Sequence, residues 1–423
     1  MSDYALKGHI CYCNSSREVV VKENAYLICE EGRCAGVYEQ LPDWYQGIPV
    51  VNYGDCLIIP GMVDLHTHAP QYTFRGLGMD RELMQWLETY TFPEEQRYAD
   101  TAYAGRAYDI FAENIRRSAT TRLCVFGTIH RPATIQLMDK LERSGVVSMV
   151  GKVNMDRNVP DYLCEGTTQS VDETIQWIDE TIGRYQRTRP ILTPRFVPTC
   201  TDALMQELGH IAQHYQLPVQ SHLSENLSEI ALVRELAPEA ETYGHAYDRF
   251  GLFGSNGPCV MAHCVHSEES ELELIRRRGV FIAHSPESNM NLSSGIAPVS
   301  RYLSMGLNVG LATDVAGGSS ECMFRAMAHA VQASHLRWRL QDQDTPALSF
   351  ADAFYMATRG GGAFFGKVGA FEPGYEMDAL VIDDQEIETA RTLQVSERLA
   401  RLPYTTTYRQ IRAKYVAGRR LWG

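Results

Sequence analysis

Two histidines one residue apart, His66 and His68, close the run Pro60-Gly-Met-Val-Asp-Leu-His-Thr-His68 and follow an apolar stretch, Cys56 to Val63, that reads as a strand. Side chains of a strand alternate between its faces, so residues i and i+2 project to the same side. Two imidazoles so placed can grip one ion together. Such a pair also arises by chance among packed or surface residues, and its company decides which it is.

That company stands at the ends of later apolar runs. Leu217 to His222 ends in His222, Cys259 to His263 ends in His263, and Asn308 to Thr313 runs into Asp314. Imidazole nitrogen and carboxylate oxygen suit zinc, with ferrous iron as the alternative, and a catalytic site keeps one position open for water. His66, His68 and His222 are the expected ligands, with Asp314 on the metal or on its water. Such an ion lowers the pKa of its water to about 7, and His263 is placed to hold that water or an intermediate oxygen. Glu225, shortly after His222, can carry a proton from the water to a ring nitrogen and then to a leaving group. Its plainer role is an acid balancing a helix dipole.

One ion is expected, not two. The fourth run, Ile191 to Phe196, offers Arg195 where a lysine or glutamate would bridge a second metal, and a guanidinium cannot ligate. Arg195 is therefore free to grip a substrate oxygen. The other zinc deaminase pattern is missing, because Pro258-Cys259 lacks its second cysteine. His266 and His284 carry weaker signals, with His284 ending another run.

These residues need elements to position them. Eight apolar runs read as strands: Cys56-Val63, Arg122-Thr128, Val146-Val153, Ile191-Phe196, Leu217-His222, Cys259-His263, Val280-His284 and Asn308-Thr313. Each but the last is followed by a segment with helical features. Thr201-Tyr215 has Leu204, Leu208, Ile211 and Ala212 on one face, and Ser267-Arg278 turns Leu272 and Ile275 inward, with Ser267 as its start. Strands alternating with helices make a parallel sheet, and eight of them close a barrel whose chemistry sits at the carboxyl ends of the strands. Short alternating runs near the N-terminus, together with Gly374-Ile382 and Ile411-Trp422, read as further strands. The expected architecture is α/β: a (β/α)8 TIM-like barrel over 58–371, with a small β-sandwich module formed by both termini, 1–57 and 372–423.

Composition bounds the partners. The 423 residues are 44% hydrophobic and 22% charged, as for a globular chain with a sizeable core. A net charge of -13 repels phosphate backbones and anionic membranes, and Arg276-Arg277-Arg278 reads as a solvated helix end. No nucleic-acid partner is expected. No run has the length of a signal peptide or a bilayer span, so the expectation is a cytoplasmic protein without a membrane. The 11 cysteines are odd in number and scattered, which fits reduced thiols; Cys11-Tyr-Cys13 lacks the second pair of a zinc ribbon.

The assembled residues resemble the amidohydrolase superfamily and, within it, the guanine deaminases. The resemblance runs over nearly the whole chain, through residues 60 to 72, Trp86-Leu-Glu-Thr-Tyr-Thr-Phe-Pro-Glu94, Gly151-Lys-Val-Asn-Met-Asp156, Thr193-Pro-Arg-Phe196, Ser221-His-Leu-Ser-Glu-Asn226, Ser288 to Gly295 and Thr313-Asp-Val-Ala-Gly-Gly318. The metal residues mark the superfamily, and the Thr-Tyr-Thr-Phe-Pro-Glu and Thr-Pro-Arg-Phe segments narrow it. The resemblance implies one zinc per chain, a homodimer, and removal of the 2-amino group of guanine by water, giving xanthine and ammonia. It implies Gln71 and Arg195 as purine-binding residues, Arg195 at the 6-oxo group, with Trp86 and Phe196 lining the pocket. A planar base needs flat apolar walls, and a guanidinium favours a 6-oxo over a 6-amino ring. Cys264, Ser285 and Ala312 depart from the commoner pattern of glycine, cysteine and glycine, and they bear on substrate range.

Two other readings stay open. One is a deaminase of another amino-substituted ring, such as a pterin or an aminotriazine. The second is a non-catalytic scaffold on the same fold.

Overall fold

In the computed structural model, which describes residues 3–422, strands from both ends of the chain meet in one seven-stranded sheet. Arg419–Trp422, Ile411–Val416, Ala379–Ile382, Val50–Pro60, Tyr4–Cys13, Val19–Glu30 and Arg33–Tyr38 lie side by side in that order. Alternation along these strands sorts their side chains into two cores. Leu6, Leu27, Ile58, Val381 and Ala413 turn into a core of the sheet's own, whereas Leu57, Ile59, Leu380 and Ile382 join the main core. The sheet curls. Tyr4 and Tyr415 have ring centroids 5.8 Å apart although two strands lie between theirs, where a flat sheet would separate them by about 14 Å. Segment 374–377 then meets the edge strand, with Cys34 N–H donating to the Tyr375 oxygen at 2.7 Å and Met377 N–H to the Gly32 oxygen at 2.9 Å.

The run expected as one strand, Cys56-Val63, is two. Val50–Pro60 belongs to the terminal sheet and Met62–His68 to the next, with Gly61 at the crossing. A Cβ at Gly61 would lie 2.3 Å from the Thr121 side chain, so only glycine lets the chain pass there. His66 and His68 consequently lie inside a strand, at its carboxyl end, and not beyond it.

Two buried cations fasten the terminal sheet to the rest. Arg122 gives Nε to Asp378 at 2.7 Å and Nη2 to Glu376 at 2.7 Å. Lys414 is fully buried, and its Nζ donates to the main-chain oxygens of Ile115 at 3.0 Å, Arg116 at 3.2 Å and Ser118 at 3.1 Å, and to that of Thr120.

Two four-stranded parallel sheets carry the site. One holds Met62–His68, Thr120–Phe126, Val147–Gly151 and Thr188–Pro190; the other holds Val219–Leu223, Cys259–His263, Phe281–His284 and Asn308–Leu311. Hydrogen bonds link them on both sides. Gln220 N–H reaches the Leu192 oxygen at 2.9 Å on one, and Asp314 N–H the His66 oxygen and His68 N–H the Val315 oxygen, both at 2.9 Å, on the other. The fourth expected strand, Ile191-Phe196, is broken. Thr188–Pro190 pairs with Val147–Gly151 while Thr193–Pro194 pairs with Val153–Asn154, since Pro190 and Pro194 bring no N–H to a continuous ladder.

Helices alternate with these strands. Asp202–Tyr215 starts at Thr201, whose side chain caps the Leu204 N–H, and buries Leu204, Leu208, Ile211 and Ala212 as its periodicity predicts. Each such leucine adds about 1.5–3 kcal/mol of burial. Glu269–Arg278 buries Leu272 and Ile275, but its cap is Glu268 and not Ser267.

Candidate metal centre and substrate pocket

His66 and His68 leave their strand on the same side, and their Nε2 atoms lie 3.1 Å apart. His222 comes from the end of Val219–Leu223 and sets its Nε2 3.3 Å from that of His68. Asp314 follows Asn308–Leu311 and closes the ring, Oδ1 at 3.1 Å from His66 Nε2 and 3.5 Å from His68 Nε2. His263 faces the same centre, Nε2 at 3.7 Å from Asp314 Oδ2 and 3.4 Å from Glu225 Oε2. The expected cluster is thus brought together from four strand ends.

Main-chain and packing contacts aim these side chains. His222 Nδ1 donates to the Arg195 carbonyl at 2.6 Å, so its neutral ring presents an Nε2 lone pair to the centre. Asp64 accepts from Thr313 N–H at 3.0 Å and Thr313 Oγ1 at 2.5 Å, and from His66 N–H at 3.3 Å, which pins the two strand ends together. Phe126 sets its ring centroid 4.8 Å from His66, 4.6 Å from His68 and 4.9 Å from His222. The backbone itself turns left-handed at His263, φ 74°, and Asp314, φ 46°. Such conformations cost about 1–2 kcal/mol each for residues with a Cβ and cluster where function demands them.

Burial fixes the charge states. It pulls His66, and more strongly His68 and His222, below the ordinary imidazole range, leaving them neutral as a metal requires. Burial alone would raise Asp314, yet the imidazoles of His66 and His263 outweigh it and hold the carboxylate well below its usual range. Burial likewise opposes protonation of His263, but Glu225 and Asp314 raise it on balance. Glu225 is pushed up to about 7, mainly by burial, with Glu229 and Asp314 adding to the effect. Three neutral nitrogens and one carboxylate fit a single divalent cation. Their 3.1 to 3.3 Å nitrogen spacings match the separation of about 3.3 Å that bonds near 2.0–2.1 Å give at a tetrahedral angle.

Beside this centre lies a cavity. Gln71, Trp86, Arg195 and Phe196 line it together with Glu225 and His263, so every residue assigned to the pocket from the sequence reaches it. Trp86 is nearly buried, its Nε1 donating to the Leu77 oxygen at 3.2 Å, and Phe196 sets its ring 6.1 Å from that of His222. Arg195 has a partner the sequence did not show: Nη1 donates to Glu95 Oε2 at 2.7 Å, and its other N–H groups remain for a ligand. Glu95, missed in the sequence, lies next to the quoted Phe-Pro-Glu segment, where acids at a helix start read as dipole partners.

Other partners also escaped the sequence. Asn289 Oδ1 accepts His263 Nδ1 at 2.9 Å, and Ser294 Oγ donates to Glu225 Oε1 at 3.1 Å. His266 donates to the Ser294 oxygen at 2.7 Å and so backs Glu225 from behind. His284 is buried at the end of Phe281–His284. Cys264, where the resemblance leads one to expect glycine, sits at φ 50°, a conformation glycine adopts without strain.

The description of the amidohydrolase family matches residues 57–421. The chain belongs to the amidohydrolase family. Among its amidohydrolase relatives is the guanine deaminase of Mus musculus, 39% identical over 377 residues, covering 86% of this chain and 82% of that one. The guanine deaminase of Escherichia coli is 33% identical over 415 residues, covering 94% and 91%. The solved structure of guanine deaminase from C. acetobutylicum with guanine bound in its active site superimposes at a TM-score of 0.96, with 44% identity over 99% of this amidohydrolase and 100% of that chain.

Proposed function

We propose that this amidohydrolase converts guanine and water to xanthine and ammonia. The observation that carries it is the cavity where Gln71 and Arg195 supply polar groups, and Trp86 and Phe196 flat walls, beside the His/Asp cluster. The 44% identical structure with bound guanine supports the same reading.

His66, His68, His222 and Asp314 are the residues that would hold zinc, one per chain, with ferrous iron the alternative. Bound there, the ion brings a water to a pKa of about 7 and so supplies hydroxide at neutral pH. Glu225, with a carboxyl poised near 7, takes one proton from the water and passes it to a ring nitrogen, where it remains in xanthine, then carries the proton of the added hydroxyl to the departing amine. The C2–O bond forms first, and the C2–N bond breaks as ammonia leaves. His263, held through Nδ1 by Asn289, turns Nε2 toward the centre, where it holds the oxygen that becomes the 2-oxo group. Arg195 donates to the 6-oxo oxygen, Gln71 binds the purine edge, and Trp86 and Phe196 cover its faces.

The same proposal extends to the fold and the setting. The two four-stranded sheets are halves of one (β/α)8 barrel over 58–371, and the curled terminal sheet is a β-sandwich built from 1–57 and 372–423. The protein works as a cytoplasmic homodimer on a small purine base, without nucleic acid or membrane. Its net charge of -13 weighs against a nucleic-acid partner, and no described helix is long and apolar enough to cross a membrane.

The test is guanine-to-xanthine conversion followed spectroscopically with and without a chelator, alongside ammonia release from a panel of pterins and aminotriazines. Guanine turnover that chelation abolishes and zinc restores is expected. Turnover of a pterin far above guanine, or no metal after gentle purification, would overturn the assignment.

A further inference from the structure

Glu95 is 2% exposed and its carboxylate has both oxygens engaged within the pocket wall. Oε1 accepts Gln71 Nε2 at 3.0 Å, and Oε2 accepts Arg195 Nη1 at 2.7 Å. At its other end Gln71 accepts the Ala316 N–H on Oε1 at 3.2 Å. A carboxylate only accepts and an N–H only donates, so the amide of Gln71 has one allowed orientation: nitrogen toward Glu95, oxygen toward Ala316. Its oxygen is committed to the backbone at Ala316 through one of its two lone pairs. The second N–H of Gln71 and the remaining N–H groups of Arg195 are the donors left for a ligand in the cavity that both residues line. Glu95 also neutralises the Arg195 charge at 3% and 2% side-chain exposure, where an unpaired guanidinium would be costly and would favour an anionic ligand.

We propose that Glu95 is the positioning residue that makes this edge of the pocket a donor surface for a neutral ring, and so sets the preference for a 6-oxo over a 6-amino purine. It touches no reacting atom in this scheme and acts through Gln71 and Arg195. A 6-amino group would point N–H at N–H, leaving buried donors unpaired on both sides, which is the arrangement that gives strong discrimination. The inference rests on the guanine reading of the pocket.

The experiment compares binding of guanine and 2,6-diaminopurine by calorimetry in the zinc-loaded Glu225→Gln background, with and without Glu95→Gln, and follows guanine turnover in the otherwise native chain. A neutral amide at position 95 has one oxygen for two donors, so it cannot hold Gln71 and Arg195 together, and it leaves the guanidinium charge unpaired. With Glu95→Gln, guanine should bind roughly tenfold to a hundredfold more weakly, as for a lost charge-assisted hydrogen bond. The guanine-to-diaminopurine ratio should fall by about tenfold or more. In the native background KM should rise while kcat stays within about threefold. Unchanged discrimination, or a fall in kcat alone, would overturn the role of Glu95. If native enzyme fails to deaminate guanine while the binding ratio still responds to Glu95→Gln, the proposed reaction is wrong and the positioning role stands. Should Glu95→Gln not fold, Glu95→Asp decides: it keeps the charge, so both bases bind more weakly with the 6-oxo preference intact, and loss of that preference would overturn the proposal.

Discussion

Arg195 accepts the Nδ1 proton of His222 on its main-chain oxygen at 2.6 Å, while its guanidinium pairs with Glu95 in the neighbouring pocket. One residue thus orients an imidazole of the centre through its backbone and lines the cavity through its side chain. The backbone contact survives any substitution that keeps the local chain path, so the two roles can be separated.

Arg195→Lys should therefore keep metal and lose substrate. A single ammonium cannot reach both Glu95 and a purine oxygen with the geometry of a planar fork. We expect zinc content within error of the native chain and a fall of about 30-fold or more in kcat/KM for guanine, from a loss of about 2 kcal/mol. Metal analysis beside steady-state kinetics checks this, and loss of zinc in the variant would contradict it.

Asp64→Asn should weaken the centre from behind. Asp64 accepts three bonds, two from Thr313 and one from the His66 N–H; asparagine keeps the two N–H bonds on its oxygen but must turn the Thr313 hydroxyl from donor to acceptor and loses the carboxylate charge. Weakening such a buried network costs about 1–2 kcal/mol. Urea unfolding of the zinc-loaded proteins reads the loss directly, and the variant should release zinc to a chelator faster than the native chain.

Glu225 gives activity a pH dependence whose sign follows from its environment. Burial raises the carboxyl to about 7, and the base form is the one that accepts the proton from water. Turnover should be present above that value and fall as pH drops through it, by tenfold per unit once the group is protonated. Glu225→Gln should retain zinc and lose catalysis, and whatever rate remains should lack this acid limb. A native profile flat from pH 5.5 to 8 would remove Glu225 from the mechanism.

Lys414→Met should do the opposite of the active-site changes. Lys414 Nζ shares its three N–H donors among four main-chain oxygens between Ile115 and Thr120, far along the chain from any residue of the pocket. Ile115 and Arg116 keep donors from Ser118 and Trp422, so losing the lysine's bonds should lower stability by about 1–3 kcal/mol. Guanine turnover per folded molecule should stay native, as measured by kinetics at a temperature well below unfolding.

What could be read from the sequence follows from local rules. A strand repeats every two residues, so the shared face of His66 and His68 is written in their spacing. Parallel strands direct their carboxyl ends the same way, so strand position alone groups His222, His263 and Asp314 with that pair. Helix Asp202–Tyr215 buries the face its periodicity marks. Where local rules compete, boundaries moved: Gly61 splits one apolar run between two sheets, and two prolines break the fourth strand.

Only the tertiary structure decided who holds these groups in place. Glu95 lies 100 residues from Arg195, and Asp64 lies 249 from Thr313. Hydrogen bonds of that span carry no periodicity and no spacing rule, because their geometry depends on how the intervening strands and helices pack. A carboxylate at a helix start is chemically the same whether it faces water or a guanidinium, and burial alone turns it into the residue that orients a pocket.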